Sequence, residues 1–201
     1  MSHAALRAAE QGDAADEAGA SDGASQLTPC VRWTVVERRG HVFTFRPTAK
    51  LARRLGMRPA PPVAATTGLG DWYANLIYHG PRQLILCTSD RSLLSVVLPA
   101  RDAKRSLPTD LPAGLERVLR AIRVDDRRIR EELDAMQQAV VGMPLSRSVL
   151  GSMNDFASGL LYRLDDDPAE PLEQLALDLS ETPCSPLSYE SPRDAARRLL
   201  A

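Results

Sequence analysis

The chain has 201 residues, enough for one domain that buries a core without help from disulfides or metal. Its 44% apolar content excludes wholesale disorder, and a formal net charge of −1 gives no global pull toward nucleic acid or anionic lipid. The three cysteines, Cys30, Cys87 and Cys184, lack CxxC spacing and an even count, which argues against a disulfide framework or zinc site and for reduced thiols in a cytoplasm.

Residues 1–28 hold few large apolar side chains and carry net −4, against +3 for the remainder. Such a segment cannot offset its ordering entropy and is expected to be disordered. No basic stretch leads into an apolar one, so it does not read as a secretory signal, and no apolar run is long enough for a membrane span. Val31 to Val36 predicts a strand, Arg38-Arg39-Gly40 a turn, and His41 to Arg46 a strand rich in aromatics. A second reading competes here. Arg38-Arg39 can be encoded by AGG-AGG, a ribosome-binding sequence, and Val42 by GTG, an alternative start codon. Residues 1–41 are then an N-terminal extension outside the translated chain, and 42–201 the single domain. Peptides from 1–41 in the host's proteome exclude that reading. Only Lys50 and Lys104 among the basic residues are lysines. With abundant Ala and Leu, this points to a GC-rich bacterial genome.

Beyond Val42 the elements are clearer. Thr48 is placed to cap a short helix, Ala49 to Leu55, ended by Gly56. Residues 57–70 read as a loop. Trp72 to Tyr78 and Arg82 to Ser89 predict a hairpin around His79-Gly80-Pro81-Arg82. Pairing Tyr78 with Gln83 sets Cys87 opposite Ala74 and Leu86 opposite Asn75. Both faces are then apolar, which predicts central strands covered on both sides. Leu93 to Leu98 predicts a third strand, stopped by Pro99. Leu115, Val118, Leu119 and Ile122 form one helical stripe. Ile129, Leu133, Met136 and Val140 predict a second helix, capped by Asp125 or Asp126 and ended by Gly142. Arg147 to Leu164 is the strongest amphipathic pattern. Leu172 to Leu179 fits helix or strand, Glu181 to Pro186 a Pro-punctuated loop, and Pro192 opens a terminal helix. The expected architecture is α+β: a small, mostly antiparallel sheet around the 72–89 hairpin, packed with helices, the second half largely helical.

No motif names a reaction. Thr67-Gly68-Leu69-Gly70-Asp71 looks like a phosphate loop, but a strand follows it where a helix is needed, and the Lys-Ser/Thr end is missing. A turn is the plainer reading, with Asp71 and Thr67 satisfying turn amides. Asn75, in a strand interior, needs a partner; a structural hydrogen bond is expected, a pocket amide the alternative. Asn154 and Asp155 sit mid-helix, Asn154 on or near the core face. Asp155 shares a side with Gly151, Ser152, Ser158 and Gly159, small residues that let another element approach. It is read as clamping a neighbour's backbone, or as an acid in a cleft. Cys184, in Thr182-Pro183-Cys184-Ser185-Pro186, lacks an evident base: His3 is in the tail, His41 near its end and His79 at a hairpin tip. Three scattered histidines make no metal site. The Arg117–Arg130 run interleaves with acids and reads as a solvated face. Arg46, Lys50, Arg53, Arg54 and Arg58 are more purely basic and are the nucleic-acid candidates, without aromatic interleaving or a reading module.

Four blocks stand out together: Arg46-Pro47-Thr48 with Lys50-Leu51 and Leu55-Gly56; Leu69 to Asn75 (LGDWYAN); Arg147 to Phe156 (RSVLGSMNDF); and Glu181-Thr182-Pro183-Cys184 with Pro186. In this order, from about Phe43 to the C-terminus, the chain resembles a family of bacterial proteins classed as a domain of unknown function. The resemblance implies no activity, cofactor or catalytic residue, and its members usually start near the Phe-Thr-Phe-Arg-Pro equivalent. The leading expectation is a non-enzymatic interaction or accessory protein of the bacterial cytoplasm, with no cofactor, no metal and no membrane, its partner another protein. One alternative is a small hydrolase or transferase, with Asp71, Asn75, Asn154, Asp155 and Cys184 meeting in one polar pocket. The other is a weak nucleic-acid binder, although nucleic acid is not the expected partner.

Overall fold

The computed structural model describes residues 32–33 (backbone only), 42–61 and 64–201. The 1–28 tail, the Arg38–Gly40 turn, Cys30, His3, His41 and the question of where translation starts lie outside the described residues.

Among the described residues, six strands form one sheet. They are β1 (Arg32–Trp33), β2 (Val42–Pro47), β3 (Trp72–His79), β4 (Arg82–Ser89), β5 (Ser95–Pro99) and β6 (Gln138–Val141), in the order β1-β6-β2-β3-β4-β5. The fold is α+β, as expected, and its sheet is mixed. The meander β3-β4-β5 is antiparallel and holds the longest ladders, whereas β2 runs parallel to both β3 and β6, and β1 parallel to β6.

The hairpin has the expected register: Tyr78 pairs with Gln83, Asn75 with Leu86 and Ala74 with Cys87. Because side chains alternate with period two, this register puts Trp72, Ala74, Ile85 and Cys87 on one face and Tyr73, Leu84 and Leu86 on the other. All seven are buried, so the strands are covered on both sides. The third strand begins at Ser95, two residues later than expected, because Leu93 takes a left-handed turn conformation (φ 56°).

Helix α1 (Ala49–Leu55) follows its predicted span and ends on Gly56 in the left-handed conformation. Thr48 occupies the N-cap position without capping. Its hydroxyl donates instead to Asn75 Oδ1 at 3.1 Å. The helix α2 (Ala103–Ala121) begins well before the Leu115 stripe and carries Pro108 and Pro112 inside it. Each proline removes one backbone donor, so the carbonyls of Lys104 and Pro108 lose their usual partners. Burial of Leu107, Leu111, Leu115 and Leu119 outweighs that loss. Gly114 packs so closely on the sheet that an added Cβ would lie 2.6 Å from Val96.

The largest departure concerns residues 126–141. A helix forms, α3 (Asp126–Ala135), with Asp125 accepting the Arg127 amide at 2.9 Å. It stops at Ala135, and Gln138–Val141 inserts as β6 between β2 and β1. Val140 therefore belongs to a strand, not to the helix predicted to run to Gly142. The parallel pairing with Val42–Phe45 decides this, since it satisfies the donors and acceptors of the buried, aromatic β2.

Helix α4 (Arg147–Asp166) matches its strong pattern, with Ser146 accepting the Val149 amide at 3.2 Å. It lies against β3 and β4. The ambiguous 172–179 segment is helix, α5 (Leu172–Glu181), and α6 (Pro192–Leu199) closes the chain. Helices α2 and α5 both pack on the edge strand β5 and on each other, bridged by Arg117 and Glu173 at 3.3 Å. That cover hides an edge that would otherwise invite pairing with another chain.

Candidate functional site

Asp71 is a buried structural pin. Its Oδ1 accepts the Thr44 amide at 2.8 Å, and its Oδ2 accepts Arg46 Nε and Nη2 at 2.9 and 2.7 Å. Arg46 Nη1 donates to the Met143 carbonyl at 2.7 Å. The pair thereby ties β2, the start of β3 and the β6–α4 connection together. Asp71 was expected to satisfy turn amides; its amide partner is in β2 instead. Within the turn, Thr67 donates to the Gly70 carbonyl at 2.6 Å. Arg46 is buried and committed, which removes it from the nucleic-acid candidates, while Lys50, Arg53, Arg54 and Arg58 are exposed.

The same loop is held by Glu132 of α3, whose carboxylate accepts the amides of Gly68 and Leu69 at 2.6 and 3.0 Å. Glu132 is 2% exposed, and burial pushes its pKa up against the pull of those two amides. A raised folded pKa means the folded protein takes up the proton first as pH falls. The contribution is fully present below the unfolded glutamate value, about 4.3, and is lost as pH rises through the folded value. Wild type is therefore expected to gain stability relative to Glu132→Gln on going from neutral pH toward that value. Urea midpoints of both proteins across the range check this; a gap that moves the other way contradicts it.

The other candidates do not form one pocket. Asn75 is half-buried and bound to Thr48, as the structural reading expected. Asn154 is exposed on α4, not at the core face, and is not among the residues that line the cleft described next. Asp155 and Cys184 do come together. They line a cleft of about 320 Å³ between α4 and the loop 182–189, which contains a 3-10 turn at Ser185–Leu187. The floor is the small-residue side of α4, Ser152 and Gly159, and the far wall holds Pro183, Pro186 and Tyr189. Two of the sequence blocks thus supply opposite walls.

Local interactions fix both walls. The Tyr73 hydroxyl accepts the Ser146 amide at 3.0 Å and so anchors the start of α4 to β3. Arg163 joins α4 to Glu170 and to Asp178 of α5. The loop is closed by the Cys184 amide on the Glu190 carbonyl and the Tyr189 amide on the Cys184 carbonyl. Glu190 is in turn paired with Arg198 of α6 at 2.7 Å. Ser188 and Tyr189 both take left-handed conformations (φ 55° and 66°), which turns the 76%-exposed Tyr189 ring outward. Residues other than glycine adopt this conformation at a cost, a frequent mark of working surfaces.

The Cys184 thiol is buried and donates to the Thr182 carbonyl at 3.2 Å. Burial, and then the Asp155 charge, push its pKa up, the reverse of what activates a nucleophile. His79 lies elsewhere, 2.8 Å from Asp165 at the end of α4. Asp155 makes no hydrogen bond or ion pair among the described residues, and no basic side chain lines the cleft. Among the described residues no His/Cys/Asp/Glu group is arranged to hold a metal ion, and no helix is long and apolar enough to cross a membrane. The sequence singled out Asp155 and Cys184 but not Tyr189, because nothing in Leu187-Ser188-Tyr189 signals two left-handed residues.

These features sit in a domain whose family is known. A family model described as Domain of unknown function (DUF6933) matches residues 44–195, and the chain belongs to that family. No curated protein and no solved structure matches it.

Proposed function

We propose that this is a non-enzymatic interaction protein of the bacterial cytoplasm, and that the cleft between α4 and the 182–189 loop seats its partner. The carrying observation is the lining: an exposed, unpaired carboxylate (Asp155) beside an exposed tyrosine and two prolines over a floor of small residues. Such a lining offers apolar contact and one negative charge, which favours a partner that inserts a donor or cationic side chain. The protonated Cys184 thiol supports binding over nucleophilic chemistry. The arginine-dominated basic set and the free thiols of Cys87 and Cys184 support the compartment.

The test uses the full chain as bait in its native host. Gly159→Trp projects into the cleft, since an added Cβ there meets only Leu179, at 4.0 Å. Asp155→Ala removes the charge. Both variants are expected to melt close to wild type and to lose at least about tenfold in affinity, on the order of 1.4 kcal/mol, for the partner that wild type retains. Retention of the same partner by both variants contradicts the proposal.

A further inference from the structure

We infer that the exposed face formed by α1 and the start of α2 binds the phosphate backbone of nucleic acid without reading its sequence. Two groups of three cations build this face. Lys50, Arg53 and Arg54 share the side of α1 away from the buried Leu51 and Leu55, and Arg101, in the turn that leads into α2, precedes the exposed Lys104 and Arg105 of that helix's first turn. The two triplets are neighbours: a Cβ on Gly56, at the end of α1, would lie 3.9 Å from Lys104 Nζ. Arg58 follows directly, and both lysines of the chain fall on this face.

These cations carry little counter-charge. Neither helix has an acid in its first turn. Among the described residues the one ion pair of this face is Arg101 with Asp102 at 3.9 Å, both highly exposed, a geometry that contributes little. Several arginines elsewhere are tied down instead: Arg120 to Glu116 and Asp126, Arg127 and Arg128 to Glu131, Arg193 to Glu181. Segregated, unpaired cations are what a polyanion neutralises, with release of its counterions. Arginine dominates here and matches phosphate oxygens bidentately. Of the exposed large apolar side chains among the described residues, only Tyr78 is at this face, its ring under Lys50 at 3.9 Å. An anionic membrane surface calls for a larger apolar anchor than Tyr78, and among the described residues this face offers none, so nucleic acid is the favoured polyanion. The face shares no residue with the α4 cleft, and the inference stands apart from the function proposed for it.

The experiment is fluorescence anisotropy of the full chain with a labelled oligo-dT of about 20 nucleotides and a duplex of similar length, between about 50 and 200 mM salt. The expected result is binding at the low end that falls linearly on a log–log plot. A duplex slope of about −3.6 to −4.5 corresponds to roughly four or five neutralised phosphates. Arg53→Glu with Lys104→Glu is expected to weaken binding at least about tenfold and flatten the slope by about two units. Arg123→Glu with Arg197→Glu makes the same charge change at exposed arginines off this face, and is expected to leave affinity within about twofold. Circular dichroism melts confirm that all variants fold. Absence of binding at low salt, equal loss in both double variants, or binding of anionic vesicles but not of either nucleic acid overturns the inference.

Discussion

Asp71→Ala is expected to destabilise the domain by about 3–5 kcal/mol, the usual cost of removing one partner from a buried ion pair. The side chains of Arg46 and Asp71 are only 8% and 10% exposed, so water cannot replace the lost carboxylate. Three donors lose their acceptor at once: the Thr44 amide and two nitrogens of Arg46. The guanidinium charge stays buried, facing the Met143 carbonyl and the Tyr73 ring, with no carboxylate bonded to it. A urea titration of wild type and variant reads the loss as a lower midpoint at unchanged slope. Removing both charges together, as Arg46→Met with Asp71→Leu, is expected to recover part of it, because no isolated charge remains. A single variant within about 1 kcal/mol of wild type would contradict a buried role for the pair.

Gly70→Ala is expected to cost about 3 kcal/mol, from two sources that add. Gly70 has φ 81°, in the left-handed region, where a side chain costs roughly 1–2 kcal/mol. An added Cβ would also lie 2.0 Å from Asp90 Oδ1, closer than atoms can sit. Asp90 must then move, and it is the acceptor of the Asp71 amide at 2.9 Å. An unsatisfied buried amide costs on the order of 1–3 kcal/mol more. Gly80 provides the control: it also has positive φ (54°), but nothing lies within 4 Å of an added Cβ. Gly80→Ala is expected to show the conformational cost alone. Thermal melts of the two variants separate strain from collision, and equal losses would contradict the collision.

What was legible in the sequence follows from local geometry. The hairpin register could be read because a short turn at His79-Gly80-Pro81-Arg82 fixes the pairing and every later partner follows by twos. Helix α4 could be read because its apolar residues hold one face over five turns. Strand β6 could not. Met136 and Val140 continue the spacing set by Ile129 and Leu133, and four residues are too few to separate a period of 3.6 from one of 2. Only the distant partner β2 decides, and a sequence window contains no information about it. The early start of α2 was hidden by Pro108 and Pro112, which usually end a helix and here sit inside one. At the candidate site, the small-residue side of α4 correctly signalled close approach. What approaches depends on Ser188 and Tyr189 turning left-handed, and neither residue type announces that conformation. Asp71, Asn75 and Asp155 look alike as polar residues in apolar surroundings. The fold sorts them by partner: Asp71 takes an amide and a guanidinium, Asn75 a hydroxyl, and Asp155 is left in solvent.

The insertion of β6 beside β2 also sets an order of events during synthesis. Roughly 100 residues separate the two strands, a delay of about 5–20 s at the usual pace of translation. Throughout that interval the nascent chain carries Phe43 and Phe45 on a strand whose other neighbour, β3, can dock but whose β6 side stays open. The meander β3-β4-β5, built from local contacts, is able to form early, while the parallel half must wait. The vulnerable species in a cell is thus a half-made sheet with an aromatic edge, and aggregation during expression is expected to track chaperone supply more closely than the stability of the finished domain.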